Sequence, residues 1–155
     1  MRREQKLAQL FIQQEKTLAT AESCTGGLLA KRLTEIPGSS NFFTGGLVTY
    51  SNDAKKNLLK ISSKKLNQHG AVSEPVAIAM AENVRKRLKT DFGIGITGIA
   101  GPEGGSKTKP VGLVFIAVST KTEILCLKFH FSGSRSSIRQ QASDWALELL
   151  LEFFN

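Results

Sequence analysis

Apolar positions along the chain follow two alternating periods, and the switches between them mark the elements. Leu7, Leu10 and Phe11 recur at helical spacing, which predicts an amphipathic helix over residues 3–15. Thr17–Glu22 then reads as a short β-rich run, halted by Ser23-Cys24-Thr25-Gly26-Gly27. Leu28, Leu29, Leu33 and Ile36 return to the helical period and stop at Pro37-Gly38. Phe42–Tyr50, aromatic and β-branched, is a strand candidate. Ser51 or Asn52 can cap a short helix running through Leu59. Ser73 caps a stronger one, with Pro75 in its first turn and Val76, Ala79, Met80, Val84 and Leu88 facing the core.

Phe92–Ile99 is apolar yet rich in glycine, the pattern of a buried central strand with close-packed neighbours. Residues 100–110 are a loop by composition. Val111–Ser119 and Glu123–Phe131 read as a hairpin joined through Thr120-Lys121-Thr122. Ile138, Ala142, Trp145, Ala146, Leu149, Leu150 and Phe153 mark one face of a last helix. Strands and helices alternate with no linker or repeat. The expected fold is therefore a single α/β domain over residues 1–155, three-layer α/β/α with a mixed sheet.

Composition narrows the function classes. The 155 residues are one domain's worth, and 41% hydrophobic with 22% charged excludes collagen, coiled coil and disordered tail. A net charge of +8 first points to an anionic partner, nucleic acid or a phosphorylated small molecule. All of the excess lies in residues 1–90, with 15 basic and 7 acidic side chains; residues 91–155 hold 6 of each. Clusters such as Arg85-Lys86-Arg87-Lys89 suit the solvated C-terminal end of a helix, so no nucleic-acid partner is expected. No apolar run nears the ~18 residues of a membrane span, and the N-terminus MRREQKLAQLFIQQEK lacks a signal-peptide pattern. Cys24 and Cys126 form no framework, so a reducing cytoplasm is the expected compartment.

Several motifs fail on context. Gly93-Ile94-Gly95-Ile96-Thr97-Gly98 has the letters of a dinucleotide fingerprint but sits inside the apolar run rather than at a strand-to-helix turn. Gly101–Thr108 resembles a phosphate loop, yet Lys109-Pro110 and a strand follow where a helix should start. His69 and His130 have no partners at metal-ligand spacing, so no metal or cofactor is expected. Cys24 is better read as a small buried residue than as a thiolate.

The segment Ala21–Gly27 is different. A strand ends, a glycine turn follows and a helix begins, which exposes a side chain and gathers the N–H groups of Thr25, Gly26 and Gly27. Ser23 is a candidate nucleophile, with helix capping as an equal alternative.

The segments at 19–43 (ATAESCTGGLLAKRLTEIPGSSNFF), 45–59 (GGLVTYSNDAKKNLL), 69–77 (HGAVSEPVA), 95–105 (GITGIAGPEGG) and 109–118 (KPVGLVFIAV) together resemble the CinA C-terminal domain family. That family includes stand-alone nicotinamide mononucleotide (NMN) amidohydrolases, and the resemblance is to this form. It implies hydrolysis of the NMN carboxamide to nicotinate mononucleotide and ammonia. The family's residues fall on Ser23, Ser40, Tyr50, Lys55 and Thr97, and on either Arg135 or Arg139.

Those residue types suit the chemistry. A neutral Lys55 could deprotonate Ser23 directly or through Ser40, with Tyr50 orienting and the Gly26-Gly27 amides as oxyanion donors. Lys55-Lys56 as a solvated pair is the alternative. Thr97, Gly98 with the loop to residue 106, and Arg135 or Arg139 would hold phosphate and ribose, Glu103 pointing away. A non-catalytic pyridine-nucleotide-binding or competence-associated accessory domain is the competing function. A homodimer is the expected assembly.

Overall fold

A computed structural model describes residues 1–155. Helix α1 (Arg3–Gln13) leads into strand β1 (Leu18–Glu22) and helix α2 (Leu28–Thr34). A 3-10 turn at Ser39–Asn41 precedes β2 (Phe43–Val48). Three helices follow, α3 (Asn52–Leu59), α4 (Ser63–His69) and α5 (Glu74–Leu88). Strands β3 (Phe92–Gly98), β4 (Leu113–Ser119) and β5 (Ile124–His130) and helix α6 (Arg135–Glu152) complete the chain. The sheet runs β2-β1-β3-β4-β5; the first three strands are parallel, β4 pairs antiparallel with β3, and β5 pairs antiparallel with β4. This is the expected α/β domain with a mixed sheet and helices on both faces.

Strand alternation makes the two faces unlike. Leu18, Ile94, Ile96, Val114, Ile116 and Val118 project to one side and build the main core with α1, α2 and α6. Ala19, Ala21, Gly93, Gly95 and Ala117 project to the other, where α5 lies close against the sheet. A Cβ added at Gly93 would stand 2.1 Å from the Ala81 carbonyl oxygen, and one at Gly95 2.6 Å from that of Ala77. The glycine-rich run is thus a packing device for α5, not a nucleotide loop.

Some expectations shift. Helix α4, four residues past α3, was not anticipated, because its only buried apolar side chain is Leu66 and one position carries no periodicity. Ser51 caps α3 as expected, accepting from the Ala54 amide at 3.0 Å. Ser73 stands at the N-cap of α5 but its hydroxyl donates to the Gly70 carbonyl at 2.8 Å instead of capping. Trp145, assigned to the buried face of α6, is 46% exposed and packs on Phe129 with ring centroids 5.2 Å apart. It faces the edge strand, where the core has run out.

Sheet order also locates a crevice. From β1 the chain turns one way to β2 and from β2 crosses back to β3, so the carboxyl ends of β1 and β3 form a topological switch point. Ser23 follows β1 there, and Gly98 ends β3.

Candidate active site

The sheet itself fixes Ser23. Its amide donates to the Ile96 carbonyl at 2.9 Å, so β1–β3 pairing continues through the residue. Gly26 (φ +60°) and Gly27 (φ +102°) then turn the chain into α2 through left-handed conformations that side chains resist. With glycine at the N-cap of α2, no local side chain can cap it. Glu22 does so from the strand, its carboxylate accepting from the amides of Leu29 at 2.9 Å and Ala30 at 3.0 Å. Ser23 is therefore free of the capping role. Sequence reasoning overlooked Glu22; the glycine at the cap position was the signal that another group had to serve.

Lys55 arrives from α3, on the face of the sheet that carries Ala19 and Ala21. Its Nζ donates to Ser23 Oγ at 2.9 Å and to the Thr49 carbonyl at 2.7 Å. The residue is 1% exposed. Burial among neutral groups pushes the Lys55 amine down to about 8, because the charged form loses its hydration. Lys56, its neighbour in sequence, points to solvent near Asp53 at 3.5 Å. The helix thus separates the two lysines that a solvated pair would have kept together.

A cavity of about 240 Å³ opens over this pair, lined by Ser23, Cys24, Tyr50, Lys55, Ala71, Val72, Thr97, Gly98, Ala100 and Arg135. Tyr50, 60% exposed, stands at its mouth and its hydroxyl accepts from Arg135 at 2.9 Å. Arg135 also donates to the Gly101 carbonyl at 2.7 Å. Thr97 lines the cavity, but its hydroxyl already donates to the Ala71 carbonyl at 2.8 Å and so holds the wall formed by Ala71 and Val72. Burial pushes the Cys24 thiol up to about 12, which removes it as a thiolate nucleophile at neutral pH. A larger groove of about 640 Å³ between β5 and α6 contains none of these residues.

Other expected site residues lie elsewhere. Ser40 is exposed in the 3-10 turn before β2. Leu18 pairs with Phe43, so Ser40 sits at the opposite end of β1 from Ser23, on the order of 15 Å away along the strand. Within one chain it cannot relay a proton to Ser23. Arg139 does not line the cavity; its guanidinium donates to the carbonyls of Cys24 at 3.1 Å and Thr25 at 3.0 Å. The Gly26 amide is bonded to the Ser23 carbonyl at 3.0 Å and is not a free oxyanion donor. Of the glycine-rich loop only Gly98 and Ala100 reach the cavity; Glu103 is exposed and outside it.

No group of three or more His, Cys, Asp or Glu side chains is placed to hold a metal ion. No helix is long and apolar enough to cross a membrane.

A family model described as the CinA C-terminal domain matches residues 2–154. A putative competence-damage inducible protein of Moorella thermoacetica is 54% identical over 134 residues, 86% of this chain and 32% of that protein. One of the same description from Desulforudis audaxviator is 42% identical over 152 residues, 98% of this chain and 37% of its own length. The chain thus spans about a third of the length of the curated relatives it matches. Among solved structures, a competence/damage inducible protein from Agrobacterium tumefaciens superposes with a TM-score of 0.93 at 39% identity, covering 100% of this chain and 98% of that one. A CinA superfamily protein from Escherichia coli gives a TM-score of 0.94 at 37% identity, covering 97% and 88%.

Proposed function

The chain belongs to the CinA C-terminal domain family, and from that premise we propose that it hydrolyses the carboxamide of NMN to nicotinate mononucleotide and ammonia. One observation carries the reading: a buried lysine amine lies 2.9 Å from the hydroxyl of a serine fixed at the sheet's switch point. That is the arrangement of a nucleophile beside its general base, with lysine in the place histidine usually takes. At pH 7 roughly one Lys55 in ten is neutral, given its value of about 8.

In the first half-reaction neutral Lys55 takes the Ser23 proton as Oγ bonds to the carboxamide carbon. The carbonyl π pair moves onto oxygen. Collapse of that oxyanion breaks the C–N bond, and the Lys55 ammonium returns its proton to the departing nitrogen, which leaves as ammonia. The Ser23 ester remains. Water then gives a proton to Lys55 as its oxygen adds to the ester carbon. On collapse the Lys55 ammonium returns that proton to the departing Ser23 Oγ, releasing nicotinate mononucleotide and restoring the serine hydroxyl and the neutral amine. Thr49, whose carbonyl accepts from Lys55 Nζ, keeps the amine aimed through both halves. Arg135, at the cavity wall beside Tyr50, is the cation available to the phosphate.

The test is ammonia release from NMN by the purified protein, beside Ser23→Ala. Release by the wild type, with a loss of about 10⁴-fold or more in the variant, supports the reading. Thermal stabilisation by NMN without any ammonia would instead assign the pocket a binding role alone.

A further inference from the structure

Two arginines one turn apart on α6 approach the same site and do different things there. Arg135 lines the cavity; Arg139 stands behind the nucleophile loop. Its Nε–H donates to the Cys24 carbonyl at 3.1 Å and its second nitrogen to the Thr25 carbonyl at 3.0 Å. A rigid, planar guanidinium therefore bridges the consecutive carbonyls of Cys24 and Thr25 in the turn after Ser23. The fit is close, since a Cβ at Gly26 would stand 3.4 Å from the same guanidinium.

The consequence follows from peptide geometry. In a planar trans peptide the N–H points opposite to the C=O. The Cys24 carbonyl is turned onto Arg139, so the Thr25 N–H of the same peptide is turned away from α6. The Ser23 carbonyl is held by the Gly26 amide at 3.0 Å, which fixes the Cys24 N–H of that peptide in the same manner. The Cys24, Thr25 and Gly27 amides have no hydrogen-bond acceptor within the chain, whereas the Gly26 amide does; of these residues only Cys24 lines the cavity, and Thr25 is fully buried. α6 lies on one face of the sheet, and Lys55, Ala71 and Val72 come from the other. The Cys24 amide is thus the unpaired donor of the turn at the cavity that Ser23 and Lys55 also line.

We propose that Arg139 is a positioning residue, which locks the 23–26 turn so that the Cys24 amide serves as an oxyanion donor, and that it does not bind the substrate phosphate. This deepens the NMN amidohydrolase reading and rests on it.

The experiment compares Arg139→Gln, Arg139→Lys and Arg135→Gln on NMN and on the phosphate-free nucleoside nicotinamide riboside. Losing one oxyanion donor costs roughly 10²–10³-fold in kcat, so Arg139→Gln is expected to lose about 10²-fold in kcat on both substrates. Its KM stays near the wild-type value. Arg139→Lys, which keeps the charge but cannot bridge both carbonyls, falls between the two. The pH at which activity levels off, set by Lys55, does not move. Arg135→Gln raises KM for NMN alone.

A rise in KM for NMN in Arg139→Gln, spared with the riboside, would overturn the proposal, as would unchanged kcat. If Arg139→Gln does not fold, as judged by its melting curve, Arg139→Lys carries the same comparison. A fluorophosphonate that labels Ser23 gives a readout independent of the carboxamide. If the wild type labels but does not hydrolyse NMN, the substrate reading fails, and slower labelling of the Arg139 variants still upholds the positioning role. Equal labelling rates, or no labelling of the wild type, reject it.

Discussion

Gly93 and Gly95 on β3 and Ser23 at the end of β1 belong to adjacent strands, yet their surroundings obey opposite rules. Around the two glycines α5 lies so near the sheet that any added Cβ meets backbone atoms of the helix. Around Ser23 a lysine amine is buried with no carboxylate beside it, and the Thr25 and Thr49 hydroxyls nearby lack hydrogen-bond partners. The first region is filled, and its polar backbone is paired within helix and strand. The second holds groups that would be cheaper in water. The packed face is built for stability, whereas the burial around Ser23 is left uncompensated, which is what the proposed reaction would draw on.

The sharpest way to break that contrast is Lys55→Met. Activity should fall roughly 10³-fold, the usual worth of a positioned general base. The protein should nevertheless become more stable, on the order of 2 kcal/mol at pH 7, because an uncompensated buried amine is exchanged for an apolar chain. The sign follows from linkage. Lys55 titrates near 8 when folded and near 10.5 when unfolded, so the unfolded chain binds more protons between those values. Wild-type stability therefore rises with pH through that window, and the advantage of Lys55→Met fades across it. Melting temperatures of both proteins from pH 7 to 11 check this; a constant difference would refute the desolvated amine.

Gly93→Ala tests the packed side. Its Cβ would lie 2.1 Å from a helix carbonyl, and backbone cannot step aside as a side chain can. A loss of about 2–3 kcal/mol is expected, the upper part of the overpacking range, or roughly 5–10 °C in Tm for a chain of this length. Thermal melts measure it.

The smallest expected effect is a gradient. kcat/KM for NMN should climb about tenfold per pH unit below about 8 and level off above, following neutral Lys55. A profile flat from pH 6 to 9 would remove Lys55 as the base.

Much of the fold was legible from residue order. The period switches place α1, α2, α5 and α6 and all five strands within a few residues, because each buries a stripe or face that its own sequence must supply. Helix α4 escaped, having one buried leucine, and so did the exposure of Trp145, since a helical stripe does not reveal where the sheet beside it ends. At the site, Ser23 and Lys55 were identifiable by resemblance, and the glycine turn pointed to Ser23 independently. Glu22, Arg139 and the wall at Ala71 and Val72 were not assigned their parts, since those parts depend on partners 7, 114 and 26 residues away.

By itself the sequence determined which stretches form helices and strands, which faces are apolar, and that a serine follows a strand at a glycine turn. These are local properties, set by the spacing of side chains along one element. Tertiary structure alone decided that Lys55 loses its water beside Ser23 while Lys56 keeps its own. It also decided that Arg135 faces the cavity while Arg139, one turn on, grips the loop behind it, and that Ser40 ends up at the far end of the strand. A side chain's neighbours and solvation belong to the packed arrangement of distant segments, and no spacing within a segment encodes them.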